Sequence, residues 1–326
     1  MQIGCDVPLK ISLIIPCYNE EQGIKRASRK ILSSLDESND DWEVIFVNDG
    51  SCDNTFEKLE EIAAVDSRVI VKSYQVNQGR GKALRVGFEA ATGEIIVANE
   101  ADLSWGNKIA LRLSDALKKN PSVGGVVASP HLKKGGYRNV PLFREMLSVI
   151  WNKILCFGNS QKLSMVTGMT RAYRKEVLDS LELYSNRKEL HLEIISKVQA
   201  LGYKIMEIPA ILKWTPERKA EMKNRKSSFP VKKLVLSHLA FTFAETPFLL
   251  VGSVGLLLLL FGALGGIYIV YLWATFGLNE GRPLIVFSVL LLLSGIQMLI
   301  FSFLASQNKQ VRDGQVRLEA QIKRIR

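Results

Sequence analysis

Residues 11–21 read ISLIIPCYNEE. The segment begins as a short apolar run, ends that run at Pro16, and then becomes polar. A run of this kind is typical of a parallel strand that is buried on both faces. Glu20 and Glu21 follow it, and acidic side chains favour the first turn of a helix. The stretch therefore predicts the first strand-to-helix step of an α/β fold.

The same alternation of strand and helix continues through residue 128. Further buried strands are predicted at Trp42–Val47, Val69–Tyr74, Glu94–Ala98 and Val123–Ala128. Helices are predicted at Glu20–Leu35, Thr55–Val65, Lys82–Ala91 and Ile109–Lys119. Because strands joined through helices pair in parallel, this order predicts a mostly parallel sheet that is covered on both faces. Beyond residue 135 the pattern is looser, and it predicts helices at Val149–Phe157 and Leu190–Ala200 and a strand at Lys204–Ile211.

Polar side chains follow three of the predicted strands. Glu20 follows the first strand, Asp49 the second, and Glu100 and Asp102 the fourth. The carboxyl ends of parallel strands meet at one edge of a sheet, and ligands of α/β proteins bind there. Each group alone is also explained by helix capping or by a turn such as Asp49-Gly50. The three groups together predict a site at this edge.

Two of these carboxylates suit a metal ion. Glu100 and Asp102 are two residues apart at the end of an extended segment, so both side chains can point to one side. Hard divalent cations bind carboxylate oxygens, and Mg²⁺ commonly shares its coordination sphere with substrate phosphates. The segment Asn77–Lys82, NQGRGK, adds a glycine turn with two cations before a helix. Such a turn suits an anion at the helix N-terminus, although it is neither the GxGxxG fingerprint nor a P-loop.

Two uncharged stretches, Phe248–Trp273 and Pro283–Gln307, are each long enough to cross a membrane. The chain has a formal net charge of +11, and nearly all of that charge lies beside these stretches. Residues 213–233 hold eight basic and two acidic side chains, and residues 306–326 hold six and two. The positive-inside rule then places both basic flanks in the cytosol and the link 274–282 outside. Because the charge adjoins the spans, nucleic acid is the weaker explanation, and no nucleic-acid partner is expected.

The remaining features fit a long N-terminal part that stays in the cytosol. Residues 1–10 carry Asp6 and no apolar run, so no signal peptide is expected. The four cysteines and three histidines are scattered, so neither a zinc site nor a histidine-dependent nucleophile is expected. Residues 231–244 are amphipathic and basic, which predicts a helix in the membrane interface before the first span.

Several segments carry a resemblance to a known family. They are ISLIIPCYNEE (11–21), VIFVNDGSCDNT (44–55), NQGRGKALRVGFEAATGEIIVANEADLS (77–104), GYKIMEIPA (202–210) and the two C-terminal spans. With these the chain resembles family 2 glycosyltransferases of the GT-A fold. Within that family it is similar to the dolichyl-phosphate mannose or glucose synthases and to bacterial polyprenyl-phosphate glycosyltransferases. The resemblance implies a GT-A domain at 1–228, an interfacial helix at 229–246, a two-helix anchor at 247–305 and a basic cytosolic tail at 306–326.

The resemblance also implies site residues. A nucleotide-sugar donor, linked to UDP or GDP, is expected to contact Pro16, Tyr18, Glu20, Asp49, Lys82 and Ala101. Glu100 and Asp102 take the place of the family's metal-binding motif, which implies Mg²⁺ or Mn²⁺. The candidate catalytic residues, which include contacts to an acceptor phosphate, are Asp102, Arg144, Ser148, Arg218 and Arg225.

By the same resemblance, the reaction is a direct displacement with inversion at the anomeric carbon. A phosphate acceptor is already ionised at neutral pH, so it needs no strong general base. Cations that position the acceptor are needed instead. The implied partners are a polyprenyl phosphate and membrane lipids, and a homo-oligomer is left open.

Three positions depart from the family pattern. Glu100 stands where the family has aspartate, and the family's Ser-Arg motif after the fifth strand reads Ser129-Pro130-His131 here, so one expected arginine is missing. Ser164, ahead of Thr167-Gly168, stands where the family has another aspartate. These departures leave the sugar and the donor base open.

Other functions remain as alternatives. One is a glycosyltransferase for another lipid-linked or glycolipid acceptor, and another is a degenerate transferase that serves as a membrane scaffold. A processive polysaccharide synthase is less favoured, because the sequence has no Gln-x-x-Arg-Trp motif and only two spans.

Overall fold

The computed structural model describes residues 9–156, 163–187, 189–214, 251–276 and 282–325. These residues group into two compact units. The first unit holds the described residues up to 214 together with residues 315–325. The second unit holds residues 251–276 and 282–314.

A seven-stranded sheet forms the centre of the first unit. Its strands are β1 (Lys10–Cys17), β2 (Asp41–Asp49), β3 (Val69–Tyr74), β4 (Ile95–Ala98), β5 (Val123–Ser129), β7 (Arg171–Arg174) and β8 (Lys204–Pro209). They lie in the order β3-β2-β1-β4-β7-β5-β8. Every neighbouring pair is parallel except the two pairs made by β7. The predicted mostly parallel sheet is confirmed.

Helices cover this sheet. They are α1 (Ile24–Leu35), α2 (Thr55–Val65), α3 (Arg80–Ala90), α4 (Ile109–Lys118), α5 (Leu142–Cys156), α6 (Lys175–Asp179) and α7 (Leu190–Ala200). In α1 the buried apolar residues include Ile24, Ala27 and Ile31, which recur at the spacing of one helix face. They pack in a core cluster with strand residues such as Leu13 and Phe46. The helix–sheet layers follow from this apolar periodicity.

Strand β7 was not predicted from the pattern, and it runs antiparallel between β4 and β5. Its sequence is RAYR, and Arg171 is fully buried. The Arg171 guanidinium donates hydrogen bonds to the carbonyl oxygens of Gly168 and Val166. Arg174 donates to the carbonyl oxygen of Val123. Because backbone carbonyls satisfy both charges, a strand that looks polar in sequence lies inside the sheet.

The region after residue 135 differs from its predicted elements in two places. The predicted strand Lys204–Ile211 is divided, because β9 (Ile211–Lys213) leaves the main sheet and pairs with β6 (Gly136–Arg138). Helix α5 begins at Leu142, before the predicted start at Val149. Its first turn is fixed by the carbonyl of Pro141, which accepts from the amides of Arg144 and Glu145. The division of the predicted strand depends on the tertiary pairing of β9 with β6, which short-range patterns do not contain.

Two long apolar helices lie near the C-terminal end: α8 (Ser253–Phe276) and α9 (Arg282–Ile325). Each contains an 18-residue stretch that is long and apolar enough to cross a membrane, with mean hydropathies of 2.3 and 2.6, respectively. The prediction of two apolar C-terminal helices is confirmed. Helix α9 continues through the predicted tail, and its residues 315–325 belong to the first unit.

The end of α9 packs against the rest of the first unit, the unit that contains the seven-stranded sheet. Val316 is buried there, and Arg317 Nε donates to the carbonyl oxygen of Ala200 at 2.8 Å. Lys323 Nζ donates to the carbonyl oxygen of Leu181 at 2.9 Å. These contacts tie the last turns of α9 to the segments around α6 and α7. The predicted interfacial helix at 229–246 lies outside the described residues.

Candidate active site

Strands β1, β2 and β4 end side by side at one edge of the sheet, since β1 pairs in parallel with both of the others. The loops after β1 and β2 are joined by hydrogen bonds. The Asn19 amide donates to Ser51 Oγ at 3.1 Å, and the Cys52 amide donates to Asn19 Oδ1 at 2.9 Å. Asn19 has a φ of 54°, a left-handed conformation that asparagine tolerates. The chain therefore turns sharply where the candidate donor residues begin.

The donor residues expected on these loops differ in exposure. Tyr18 is exposed, whereas Pro16, Glu20 and Lys82 are half-buried. Ala101 is buried in the core cluster, so its side chain faces away from any donor and only its backbone could contact one.

Asp49, at the end of β2, organises the glycine turn. Its carboxylate is 4% exposed. It accepts hydrogen bonds from the backbone amides of Gln78 and Gly79 and from the hydroxyl of Tyr74. Asn77 donates to the same carboxylate from its side chain. Burial and the Asp49 hydrogen bond raise the pKa of Tyr74 well above its usual value, so the hydroxyl stays a donor. In this structure Asp49 shapes the turn that precedes α3.

Gly79 is required at the tip of that turn. Its φ is 99°, and a Cβ there would lie 2.8 Å from the carbonyl oxygen of Asn186. That same carbonyl accepts from the Lys82 amide at 3.0 Å. The turn is thus pressed against residues 186–187, and α3 begins directly after it.

The candidate metal residues lie after β4. Ser104 Oγ donates to Glu100 Oε2 at 2.9 Å, and the Ser104 amide donates to Asp102 Oδ1 at 2.9 Å. Arg80 Nη1 lies 3.7 Å from Glu100 Oε1. The first turn of α3 and the end of β4 are therefore brought together, as the common sheet edge requires. Both carboxylates are half-buried.

The donor chemistry of this pair fits a divalent cation. Mg²⁺ and Mn²⁺ favour carboxylate oxygens, and they accept water and phosphate oxygens at the remaining positions. Across the described ranges, no group of three His, Cys, Asp or Glu side chains stands together. Glu100 and Asp102 would therefore hold an ion that also binds a phosphate-bearing ligand. A bound ion would supply positive charge to a leaving diphosphate.

Arg144 and Ser148, which are predicted to contact the acceptor phosphate, lie on α5 and contact residues in and beside β6 and β9. The Arg144 guanidinium lies over the Trp214 ring, with Cζ 5.3 Å from the ring centroid, a cation–π distance. Ser148 Oγ lies 2.9 Å from the Tyr137 hydroxyl. The Trp214 amide donates to the Arg138 carbonyl oxygen at 3.0 Å. The small β6–β9 sheet thus supports both Arg144 and Ser148.

Ser164, one of the departures from the family pattern, lies beside Ser129 in the structure. Ser129 Oγ and Ser164 Oγ lie 2.7 Å apart. Ser164 also donates to Glu207 through its amide and its hydroxyl, both at 2.9 Å. Ser164 thereby anchors a loop to the Glu207 carboxylate. Burial lowers the pKa of His131, so this side chain does not replace the positive charge of the expected arginine at neutral pH.

Two predicted site residues, Arg218 and Arg225, lie outside the described residues. Among the described residues, Arg80 contacts Glu100 and Trp214 contacts Arg144, although neither was predicted as a site residue. Arg80 was visible as one of two cations in the glycine turn, although only Lys82 was assigned to the donor. Trp214 gave no sequence signal, because its partner Arg144 is far away in the chain.

Comparison with known proteins gives a consistent family. Residues 12–182 match the family described as glycosyl transferase family 2. An undecaprenyl-phosphate 4-deoxy-4-formamido-L-arabinose transferase of Proteus mirabilis is 28% identical over 53% of this chain and 51% of its own. A dolichol-phosphate mannosyltransferase of Pyrococcus furiosus is 28% identical over 62% and 56%. The chain thus spans about half the length of these curated relatives.

Two further matches extend the comparison. The uncharacterized glycosyltransferase YkcC of Bacillus subtilis is 25% identical over 94% of this chain and 90% of its own. Among solved structures, a glucosyl-3-phosphoglycerate synthase of Mycobacterium tuberculosis superposes with a TM-score of 0.51 at 20% identity. It covers 73% of this chain and 79% of its own, and was solved with Mn²⁺, UDP-glucose and phosphoglyceric acid. At this identity the likeness supports the GT-A fold alone.

Proposed function

This chain belongs to glycosyl transferase family 2, and from that membership we propose that it transfers a sugar from a nucleotide-sugar to a prenyl phosphate at a membrane surface. The names of the Proteus and Pyrococcus relatives supply the acceptor class. Their prenyl groups differ, so the shared element is the lipid phosphate itself. The sugar and the polyprenol stay open.

One observation carries this acceptor assignment. Helix α5 places the cation Arg144 among apolar side chains that point to the surface: Leu142, Phe143 and Met146 are 78, 71 and 61% exposed. Large exposed apolar groups are costly in water unless they contact a ligand, a partner or a lipid. A prenyl phosphate combines an anionic phosphate, which Arg144 can bind, with a hydrocarbon chain, which the exposed apolar side chains can contact.

The donor binds at the strand edge. Tyr18 and the Asn77–Lys82 turn face the nucleotide, and Arg80 and Lys82 lie where a diphosphate is expected. Glu100 and Asp102 hold Mg²⁺ or Mn²⁺, in line with the Mn²⁺ in the mycobacterial complex. The ion supplies charge to the leaving nucleoside diphosphate. Asp49 acts on the donor through the turn that it organises.

The acceptor phosphate attacks the anomeric carbon directly, with inversion. Arg144 positions the phosphate, because a guanidinium forms paired, charge-assisted hydrogen bonds with phosphate oxygens. Stacking on Trp214 restricts the guanidinium before the acceptor arrives, which lowers the entropy cost of positioning it. Ser148 adds a hydroxyl on the same helix, and Arg218 and Arg225 extend the cationic surface.

The catalytic unit lies on the cytosolic face. Helices α8 and α9 form the anchor and residues 229–246 the interfacial helix, in the domain plan with boundaries at 228, 246 and 305. Two spans return the chain to the side on which it started. Contacts of Arg317 and Lys323 with the catalytic unit support this arrangement, because they require the end of α9 to be on the catalytic side.

The proposal is tested with the purified full-length protein in liposomes. Radiolabelled UDP- and GDP-sugars are offered with undecaprenyl phosphate, dolichyl phosphate, the corresponding free prenols and a glycolipid. Label transfer to a prenyl phosphate, with none to the free prenols, is the expected result. Release of free sugar without transfer would contradict the assignment of a prenyl phosphate acceptor. No reaction with any donor would contradict the proposal as a whole and favour the scaffold alternative.

A glycolipid hydroxyl is the second candidate acceptor, and His131 is the observation that favours it. This residue lies in the Ser129-Pro130-His131 segment, which lacks the arginine of the family motif, and its lowered pKa leaves a neutral imidazole that could accept a proton. His131 Nε2 lies 3.4 Å from the Tyr137 hydroxyl, which also contacts Ser148. Transfer to a hydroxyl needs a general base, whereas transfer to a phosphate does not. A glycolipid product that disappears in His131→Gln would establish this candidate.

A further inference from the structure

Ser104 contacts both carboxylates of the candidate metal pair. Its hydroxyl donates to Glu100 Oε2 and its amide donates to Asp102 Oδ1, each at 2.9 Å. Ser104 is 1% exposed, so water competes little for these bonds. Since Arg80 lies 3.7 Å from Oε1 of Glu100, the two oxygens of that carboxylate face different partners. One residue therefore restrains the two candidate ligands relative to each other.

The backbone at this turn brings the Ser104 amide back to the Asp102 carboxylate. Leu103, between Asp102 and Ser104, has a φ of 56°, a left-handed conformation that is uncommon for a residue with a Cβ. The Ser104 amide closes back on the Asp102 carboxylate as in an Asx-turn. This hydrogen bond helps to hold the turn in that conformation.

Ser104 is also tied to the acceptor side. Its carbonyl oxygen accepts from the Lys213 amide at 2.7 Å. Lys213 ends β9, and the next residue is Trp214, over which Arg144 lies. The hydrogen bond from Lys213 to Ser104 and the contact between Arg144 and the Trp214 ring thus connect the candidate metal ligands to Arg144.

We infer that Ser104 is a positioning residue that holds Glu100 and Asp102 in the geometry for one divalent cation and fixes that pair relative to the strand beneath Arg144. The inference rests on the proposed function, because it takes the pair to bind a metal. Its hydroxyl acts on Glu100, and its backbone acts on Asp102 and β9. Groups that orient metal ligands in this way typically change metal affinity by roughly 10–100-fold when they are removed.

The side chain and the backbone of Ser104 can be separated by one substitution. Ser104→Ala removes the bond to Glu100 and keeps the amide and carbonyl bonds. The expected effect is Mn²⁺ binding weakened by roughly tenfold, with an unchanged KM for prenyl phosphate. Ser114→Ala is the matched control: Ser114 is also buried, and its hydroxyl bonds only within α4, to the Leu111 carbonyl at 2.9 Å.

The experiment measures free Mn²⁺ by electron paramagnetic resonance in titrations of the full-length protein, with UDP and, in parallel, with GDP. A double-mutant cycle with Glu100→Gln distinguishes an effect that passes through Glu100 from a general structural effect. If Ser104 acts through Glu100, Ser104→Ala has no further effect on Mn²⁺ affinity in the Glu100→Gln background. Thermal unfolding of every variant checks that the proteins are folded.

The outcomes are distinct. Equal Mn²⁺ affinity in wild type and Ser104→Ala would overturn the inference and leave the metal site standing. The same fold loss in both backgrounds would also overturn it, since the effect would not pass through Glu100. No Mn²⁺ binding by the wild type would overturn both the inference and the metal-dependent part of the proposed function. A loss equal to that of Ser114→Ala would show a general packing effect and overturn the inference.

Discussion

The carboxylate of Asp49 accepts hydrogen bonds from the backbone amide of Gly79, at 3.2 Å to Oδ1 and 3.1 Å to Oδ2. These two residues join the end of β2 to the turn before α3. The turn can adopt its shape because Gly79 tolerates a φ of 99°. It keeps that shape because a buried carboxylate satisfies its amides.

Asp49→Asn is expected to loosen this turn. Asparagine places an amide donor where one carboxylate oxygen accepted backbone amides, which leaves buried donors unpaired. The expected loss in unfolding free energy is about 1–3 kcal/mol, and nucleotide binding should weaken with it. Thermal unfolding and calorimetric titration with UDP and GDP measure the two effects. Asp115→Asn, at an exposed ion pair on α4, is the control, and equal behaviour of the two variants would refute this role of Asp49.

Glu43 predicts a pH dependence of stability. Burial raises its pKa, but hydrogen bonds from Ser12 and Thr92 outweigh burial and lower the pKa below its usual value. A lowered folded-state pKa stabilises the protein above the unfolded-state pKa of about 4.3, and this contribution is lost as the pH falls through the folded-state value. At pH 7, Glu43→Gln should therefore unfold at a lower temperature than wild type, and the difference should shrink below about pH 4.3.

The control for Glu43 is Glu60→Gln on α2, because Glu60 is exposed. Its unfolding temperature should follow that of wild type at every pH. A difference between wild type and Glu43→Gln that stays constant down to pH 3 would contradict the assigned role of ionisation and leave only a packing effect.

The sheet was largely predictable from the sequence because β1, β2, β4 and β5 are buried on both faces. Such strands appear as continuous apolar runs, and Val44–Phe46 in β2 is fully buried as its letters suggest. Strand β7 was not predicted because Arg171 and Arg174 give it a polar sequence, and the carbonyl oxygens that accept hydrogen bonds from Arg174 are distant in sequence. No local window contains that information.

The meeting of the candidate site residues at one edge of the sheet was predictable, and their contacts were less so. Glu100 and Asp102 were proposed as metal ligands because parallel strands end at a common edge. The approach of Arg80 to Glu100 and of Arg144 to Trp214 depends on how loops from different strands pack. Those distances are set by tertiary structure, and residue spacing does not encode them.

Asp102→Ala is expected to remove most transfer activity, because one carboxylate of the metal pair is lost. Glu100→Asp should keep part of the activity or improve it, since aspartate is still an oxygen ligand with a shorter arm. Transfer is measured across a titration of Mn²⁺ and Mg²⁺, with a chelator as the zero point. Asp115→Ala is the control. Full activity of Asp102→Ala in the presence of chelator would rule out a metal role.

Arg144→Lys is expected to lower transfer by roughly tenfold, on the order of 1.4 kcal/mol in the barrier. Lysine keeps the charge but loses the planar pair of donors and the stacking on Trp214. Liposome binding should stay at the wild-type level, because the net charge is unchanged. Arg29→Lys, at an exposed position on α1, is the matched control. Unchanged transfer by Arg144→Lys would end the assignment to the acceptor and turn the test to Arg218 and Arg225.

Membrane topology gives the last prediction, and it combines charge with packing. The tail 306–326 has six basic and two acidic residues, and Arg317 in that tail contacts Ala200 of the catalytic unit. From both observations we predict that Gln315 lies on the cytosolic side and that the link between the spans lies outside. An impermeant thiol reagent added to intact cells should therefore label Asn279→Cys and spare Gln315→Cys, and permeabilisation should expose both. Cys5, Cys52 and Cys156 are replaced by serine beforehand, whereas Cys17 can remain because burial raises its thiol pKa well above the usual value. Labelling of Gln315→Cys in intact cells would reverse the orientation and remove the catalytic unit from the cytosol.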